Sequence, residues 1–326
     1  MESSAQAYSP DFQKPIISIV GPTASGKTAL AQRIAETFEG EILSADSMQI
    51  YRGMDIGTGK IPIYERTVPY WGLDLCDPGE PYSAALFQSY GRRVLSDIDK
   101  RNKYPILCGG TGLYVRAVID DYDFVAGKQI ENQVRETYMR YAEENGNKAL
   151  WDLLAERDPQ SAILIHPNNV RRVVRAFEML EEGKSYHQQS ENFSLISQVI
   201  PSFFIGLEVE PHVLNERIDN RIDEMFSAGL VDEVSHLLES GFREGITAPQ
   251  AIGYKEIVSA IDGVITLDEA ILAIKTATHR YAKRQRTWFR KDKRITWVDA
   301  NELNFTQMLD EVTRLVKNEK SVDLDG

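Results

Sequence analysis

Two groups of residues in this chain have the types and spacing that chemistry needs. The first is Gly21-Pro22-Thr23-Ala24-Ser25-Gly26-Lys27-Thr28. In such a loop the glycines let successive backbone N–H groups turn inward on an anion. The lysine reaches the terminal phosphate oxygens, and the hydroxyl of Thr28 can hold Mg²⁺. The second group is Asp46-Ser47-Met48-Gln49, a carboxylate followed by small, apolar and amide side chains. Asp46 has three candidate roles: general base, Mg²⁺ ligand of Walker-B kind or helix cap. An ordinary carboxylate is a weak base. The first role therefore needs an acceptor that turns acidic during the step, as an amine does when it acquires an alkyl group.

The elements around these groups place them together. Ile16 to Val20 is a largely β-branched apolar run, and Leu30, Ile34 and Phe38 recur at spacing four. That is a strand feeding a helix whose N-terminus points at the anion, the setting of a P-loop. Gly40 is expected to end this helix, and Glu41 to Ala45 to form a short second strand with Asp46 at its carboxyl end. In an open α/β sheet the ligand crevice lies at the strands' carboxyl ends, so Asp46 belongs beside the P-loop. Residues 50–60 are dense in glycine and lack any period, which reads as a functional loop.

Farther along, Tyr70 to Leu75 is a candidate third strand, and Ser83 to Asn102 a helix with Leu86, Val94, Leu95 and Ile98 as its apolar positions. Pro105 to Cys108 is a strand that runs into Gly109-Gly110-Thr111-Gly112-Leu113-Tyr114, a second glycine turn at the same sheet edge. From Asp120 to Gln198 strands vanish and amphipathic helices follow one another over Glu131–Asn145, Lys148–Arg157 and Asn168–Glu182. Phe203 to Val209 restores the sheet. Leu214, Ile218, Ile222 and Phe226 make a helical stripe with Arg217 and Arg221 beside it, and Ile295 to Val298 is a late strand. The predicted architecture is α/β: a P-loop NTPase-like, doubly wound parallel sheet with an inserted all-helical domain. The core is expected at 14–119 and 199–318, the insertion at 120–198, and loose termini at 1–13 and 319–326.

At 326 residues, with 42% hydrophobic and 26% charged content, the chain can bury a sizeable core. No apolar run approaches the roughly twenty residues of a membrane span, and Met1-Glu2-Ser3-Ser4 does not resemble a signal peptide. A cytoplasmic protein is expected. Cys76 and Cys108 stand far apart and the five histidines are scattered, so neither a disulfide framework nor a zinc site is suggested. The formal charge of −12 argues on its own against a polyanionic partner. The positive charge, however, is gathered in two places. One is Arg171, Arg172 and Arg175. The other runs over Arg280, Lys283, Arg284, Arg286, Arg290, Lys291, Lys293 and Arg294, with Tyr281, Trp288 and Phe289 among them. Arginines near a helix start oppose its dipole, which points to an anionic partner rather than to helix stability. Tyr281, Gln285 and Trp288 share a helix face that either packs on the sheet or meets RNA.

The P-loop, then Asp46-Ser47-Met48-Gln49-Ile50-Tyr51-Arg52-Gly53-Met54-Asp55-Ile56-Gly57-Thr58, then the 109–114 turn resemble the tRNA dimethylallyltransferase family. So do Ala251-Ile252-Gly253-Tyr254-Lys255-Glu256 and Tyr281-Ala282-Lys283-Arg284-Gln285-Arg286-Thr287-Trp288-Phe289-Arg290, in the same order. The resemblance implies transfer of a dimethylallyl group from dimethylallyl diphosphate to the exocyclic amine of the adenosine 3′ to the anticodon of tRNA. The P-loop residues Gly21 to Thr28 then grip a leaving diphosphate rather than ATP, with Mg²⁺ on Thr28. The resemblance implies catalytic roles for Asp46 as base, Thr23 and Lys27 on the diphosphate, and one arginine of the 214–226 helix, Arg221 ahead of Arg217. It implies an extruded adenine read by Asp46, Ser47, Met48 and Gln49, and a tRNA contact at Thr111, whose other reading is a helix N-cap. Arg135, Arg171, Arg172 and Arg175 of the insertion are expected to grip the anticodon stem-loop. Gln250 and Lys255 stand where some members carry arginines and count with the RNA-binding residues. A bacterial-type monomer without the eukaryotic zinc finger is expected. The competing readings are an adenylate isopentenyltransferase acting on free nucleotide, a P-loop kinase of a small metabolite and a non-catalytic P-loop RNA-binding protein.

Overall fold

In the computed structural model, residues 12–122, 124, 133–195, 197–301 and 304–322 are described. The chain divides into two compact units, one of residues 1–120 and 198–326 and the other of residues 121–197. The ends expected to be loose lie largely outside the described residues. On the C-terminal side, however, a helix continues to Val322, past the expected boundary at 319.

The first unit is built on six parallel strands: β1 (Ile16–Val20), β2 (Gly40–Ser44), β3 (Tyr70–Trp71), β4 (Tyr104–Gly109), β5 (Ser202–Glu208) and β6 (Ile295–Asp299), in the order β3-β2-β4-β1-β5-β6. Every residue of β1, β2 and β4 is buried. That burial explains why β1 and β4 read as largely apolar runs rather than as alternating ones, since helices cover both faces of a parallel sheet. α1 (Lys27–Phe38) buries Leu30, Ala31, Ile34 and Ala35 and packs with β2 and β4. Each fully buried leucine or isoleucine there stabilises the fold by about 1.5–3 kcal/mol. α2 (Ala84–Lys100) packs on β2, β4 and α3 (Gly112–Ile119).

The local departures from the sequence reading have physical causes. α1 ends at Phe38, and Glu39 rather than a glycine takes the left-handed position at φ 52°. Gly40 already belongs to β2, where a Cβ would stand 2.6 Å from the Tyr104 carbonyl oxygen, so its requirement is close approach rather than a turn. β3 stops after two residues. Leu86, expected in the core, is 54% exposed because the helix starts at Ala84, capped by the Ser83 hydroxyl, and turns Phe87 inward instead.

The rest of the first unit is α9 (Pro211–Ser227), α10 (Leu230–Leu238), α11 (Tyr254–Ile261), α12 (Leu267–Phe289) and α13 (Phe305–Val322). The second unit comprises α4 (Gln133–Asn145), α5 (Asn147–Arg157), α6 (Pro159–Leu164), α7 (Val170–Glu181) and α8 (Tyr186–Leu195). It has its own core of Leu150, Leu154, Val173, Val174 and Phe177. The short α6 and α8 carry too little periodic pattern to announce themselves in the sequence.

Candidate active site

The strand order sets β2, β4 and β1 side by side, so the three loops that leave their carboxyl ends are neighbours. α1 begins at Lys27 with Gly26 before it at φ 89°, which aims the helix N-terminus into the P-loop. Lys27 Nζ donates to the Pro22 carbonyl at 3.0 Å. Burial holds its pKa below the ordinary lysine value, and the nearby Arg221 adds to the depression. The buried Ser25 hydroxyl has no partner among the described residues. Cys108 packs behind the loop with its Sγ 3.6 Å from the Lys27 carbonyl, and burial pushes its pKa up to about 12, so it stays a neutral thiol.

Asp46 is seated by its neighbours. Its Oδ1 accepts the Met48 N–H at 2.9 Å, which closes a short turn. The Ser47 N–H donates to Thr111 Oγ1 at 3.1 Å, and the Thr111 N–H donates to the Ala45 carbonyl at 3.2 Å. Thr111 stands at the N-cap position of α3, yet its side chain makes no capping bond and is spent on Ser47. The 109–114 turn thus holds the Asp46 segment.

Above these loops is a cavity of about 480 Å³. The loops at the sheet edge contribute Thr23, Asp46, Ser47, Met48, Gly57 and Thr58 to its lining, and α9, α10 and α12 contribute the apolar Ile218, Ile222, Met225, Leu230 and Ile274. Arg221, Gln250, Lys255, Arg280 and Arg284 supply polar and cationic groups around it. Arg221 is desolvated, which depresses its pKa against the opposing pull of Asp46 and Glu224. It has no hydrogen-bonded carboxylate among the described residues. A guanidinium stays charged regardless, so Arg221 and Lys27 form a pair of poorly solvated cations suited to an anion between them. Gly59, at φ 59°, lies under Arg221, where any Cβ would collide with the guanidinium 1.5 Å away.

Several expected residues are engaged elsewhere. Arg217 donates to the Ala300 carbonyl at 3.3 Å and does not line the cavity; one helical turn separates it from Arg221, but that turn carries its head toward β6. Gln49 is not a free adenine reader. Its Oε1 accepts from Ser44 Oγ at 2.9 Å and its Nε2 donates to the Thr58 and Gly59 carbonyls at 3.3 and 3.4 Å, tying β2 to the 50–60 loop. Within the helical unit, Arg135 and Arg175 both bind the buried Glu178, at 2.7 and 2.9 Å. Their helix position is explained by that carboxylate. Arg171 and Arg172 are exposed. The later basic cluster divides as well: Arg280 and Arg284 face the cavity, whereas Arg290 pairs with Glu208, and Arg294 with Asp120 and Asp292.

Three residues that position the site were given no positioning role by the sequence reading. Glu233 accepts the N–H groups of Asp55, Ile56 and Gly57 and the Tyr254 hydroxyl, which fixes the glycine-rich loop. Lys60 is buried between Asp55, Asp74 and the Tyr51 carbonyl, at 2.5, 2.6 and 2.9 Å. Gln285, 5% exposed, takes the Thr23 N–H on Oε1 at 2.9 Å and donates Nε2 to the Gly110 carbonyl at 2.9 Å. A lone amide in the apolar stripe of α12 was its only signal.

The parallel sheet, the phosphate loop and the cation-lined cavity beside a carboxylate define a P-loop transferase. A family model described as IPP transferase matches residues 49–292, and one described as isopentenyl transferase matches residues 14–66. A tRNA dimethylallyltransferase of Carboxydothermus hydrogenoformans is 44% identical, covering 96% of this chain and 99% of that protein. The solved tRNA isopentenylpyrophosphate transferase of Bacillus halodurans has a TM-score of 0.71 at 39% identity and covers 96% of this chain and 99% of that one. A eukaryotic dimethylallyltransferase solved acting on tRNA has a TM-score of 0.76 at 28% identity, over 95% of this chain and 80% of that one. The chain belongs to the IPP transferase family and is a prenyl-transferring enzyme.

Proposed function

We propose that the protein transfers a dimethylallyl group from dimethylallyl diphosphate to the exocyclic amine of the adenosine 3′ to the anticodon in tRNA, giving isopentenyladenosine and diphosphate. The observation that carries the reading is one cavity lined by Thr23, Asp46 and the desolvated Arg221, with apolar side chains from α9 and α12, set beside the buried P-loop cation Lys27, which feels the charge of both Asp46 and Arg221. An allylic C–O bond breaks with carbocation character, so its barrier falls when preorganised N–H groups and cations meet the charge gathering on the departing diphosphate. Thr23, Lys27 and Arg221 hold that group. The apolar side chains take the five-carbon chain and exclude water, which would otherwise capture the cation. Asp46 accepts the amine proton as the C–N bond forms, with its Oδ1 steadied by the Met48 N–H.

Mg²⁺ fits the loop in one way. Among the described residues no three acidic, histidine or cysteine side chains gather to hold a metal, so the ion would rest on Thr28 Oγ1 and on phosphate oxygens and water. When bound it supplies neutralisation of the leaving group. The adenine must leave its stack to enter the cavity. Gln250, Lys255, Arg280 and Arg284 at the cavity, and the exposed Arg171 and Arg172 on the helical unit, are the groups for the RNA. No helix among the described residues is long and apolar enough to cross a membrane, which supports a cytoplasmic enzyme.

The test incubates the protein with labelled dimethylallyl diphosphate, and separately with ATP, offering unmodified tRNA, AMP or no acceptor. Label is expected in tRNA from the prenyl donor alone, and Asp46→Ala is expected to abolish transfer while tRNA affinity stays. Transfer to AMP alone, or an active Asp46→Ala enzyme, overturns the reading.

A further inference from the structure

One buried side chain joins the two halves of the cavity. Gln285 reaches from α12 between the P-loop and the 109–114 turn and has both ends of its amide satisfied, the oxygen by the Thr23 N–H and the nitrogen by the Gly110 carbonyl, each at 2.9 Å. The fit is close: a Cβ on Gly110 would stand 2.4 Å from Gln285 Nε2, so that glycine is required for the amide to arrive. The Thr23 N–H is therefore directed at α12, and the inward-facing cradle is left to the rest of the loop. Thr23 still lines the cavity. On the other side Gly110 leads directly to Thr111, whose hydroxyl accepts the Ser47 N–H next to Asp46. Tyr281, one turn earlier on α12, lies close to both Thr111 and Gln285.

We infer that Gln285 is a positioning residue for the transfer reaction, one that fixes the spacing between Thr23 on the leaving-group side and the Thr111–Ser47–Asp46 chain on the acceptor side. The inference rests on the proposed transfer. A prenyl cation forming between donor and acceptor needs both within reach at once, and a misplacement of about 1 Å costs on the order of 10²-fold in rate. An amide suits this place because it offers one acceptor and one donor at fixed separation. A glutamate can accept from Thr23 but has no proton for Gly110, and a methionine of similar length fills the space with neither.

The test is a double-mutant cycle on single-turnover transfer, with both substrates saturating, for wild type, Gln285→Met, Thr23→Ala and the double variant. Gln285→Met is expected to lower the rate between about 10-fold and 100-fold, with tRNA Kd within about 2-fold of wild type. The double variant is expected to be slower than Thr23→Ala by a smaller factor than separates Gln285→Met from wild type, because the part of the effect relayed through the Thr23 side chain disappears once that side chain is cut back, while the part held through Gly110 remains. Gln285→Glu, which keeps the length and the Thr23 bond, is expected to fall between wild type and Gln285→Met, and it stands in if the methionine variant does not fold. Fully additive losses, or a rate loss matched by lost tRNA affinity, overturn the inference, as does a Gln285→Met enzyme as fast as wild type. The affinity of inorganic diphosphate, read by calorimetry on the same proteins, tests Gln285 even if wild type transfers nothing: a several-fold weakening in Gln285→Met that is smaller in the Thr23→Ala background supports it, and an unchanged affinity counts against it. Failure of the wild type to prenylate tRNA sinks the proposed function instead.

Discussion

Replacing Arg221 by methionine separates the demands of folding from those of catalysis. Arg221 is desolvated, shares its surroundings with Lys27, and lacks a hydrogen-bonded carboxylate among the described residues. A unit charge about 4 Å from a departing phosphate oxygen, at an effective dielectric near 20, is worth about 4 kcal/mol. Divided by about 1.36 kcal/mol per decade, that is a loss of about 10³-fold in single-turnover transfer. The same substitution removes an imperfectly compensated buried cation, a change that is neutral or stabilising by about 1–4 kcal/mol when an apolar side chain fills the space. Arg221→Met is therefore expected to transfer about a thousandfold more slowly while its ligand-free form melts at or above the wild-type temperature. Arg217→Met, which loses only the bond to the Ala300 carbonyl, is expected to keep its rate within a few-fold. The assays are rapid-quench transfer from labelled dimethylallyl diphosphate and calorimetry of the free protein. A slower Arg217→Met than Arg221→Met, or an Arg221→Met protein several degrees less stable without ligand, would refute the reasoning.

Other consequences can be measured separately. Arg171→Ala/Arg172→Ala is expected to weaken tRNA binding and to reduce the steepness of its salt dependence by about one to two counterions, with turnover at saturating tRNA unchanged; filter binding across a salt series checks this, and slowed chemistry at unchanged affinity would contradict it. Glu233→Ala leaves three loop N–H groups and the Tyr254 hydroxyl without their acceptor, so transfer is expected to fall more than about tenfold from a loosened 55–58 wall; wild-type kinetics would show that the loop holds without it. Burial works against the Glu178 carboxylate, but Arg135 and Arg175 outweigh it and hold the pKa below the ordinary glutamate value. A depressed carboxylate stabilises fully above its unfolded pKa, near 4.5, and loses that contribution as the pH falls through the folded value. Circular dichroism of the full chain should therefore show the helical unit weakening in acid below about pH 4.5, and Glu178→Gln should remove that dependence at the cost of lower stability at pH 7. An identical acid profile in the variant would exclude Glu178 as the cause.

What the sequence displayed, and what it hid, follows from the range of the interactions involved. The P-loop was legible because its requirements are local: glycines for the turn, Lys27 at the helix start and a buried strand before it all fall within a dozen residues. Asp46 was legible through topology, since the end of β2 could open only onto the crevice. The direction of a long side chain is a different matter. Arg217 and Arg221 are equivalent on a helical wheel, and only the Ala300 carbonyl beyond β6 and the bare backbone of Gly59 decide which one reaches the cavity. Gln49 looked suited to a base edge, but the Ser44 hydroxyl and two carbonyls of the following loop claim its amide first. Arg135 and Arg175 read as an RNA grip because the pairing of α4 with α7, which encloses Glu178, leaves no trace in local sequence. Gln285 connects positions 262 and 175 residues away, so nothing near it could give its role.

The two cations explain why a phosphate-binding fold serves alkyl transfer. In the free protein Lys27 and Arg221 lie in each other's field with their solvation reduced by burial, and Asp46 offsets that only in part. In the proposed reaction a diphosphate arriving between them would relieve the repulsion, and the relief would grow as the C–O bond breaks and charge gathers on the leaving group. Interactions that strengthen along the reaction coordinate accelerate it, whereas those equal in ground and transition states only tighten binding. The strain of two buried cations is thus placed where the reaction releases it. In the proposed reaction Asp46 would complete the arrangement from the acceptor side: its charge steadies the cations before the substrates arrive and would then be drawn to the amine, which gains positive character as its new bond forms. That exchange of partners requires the donor loop and the acceptor loop to keep a fixed separation, and in this fold the tie between them runs through α12.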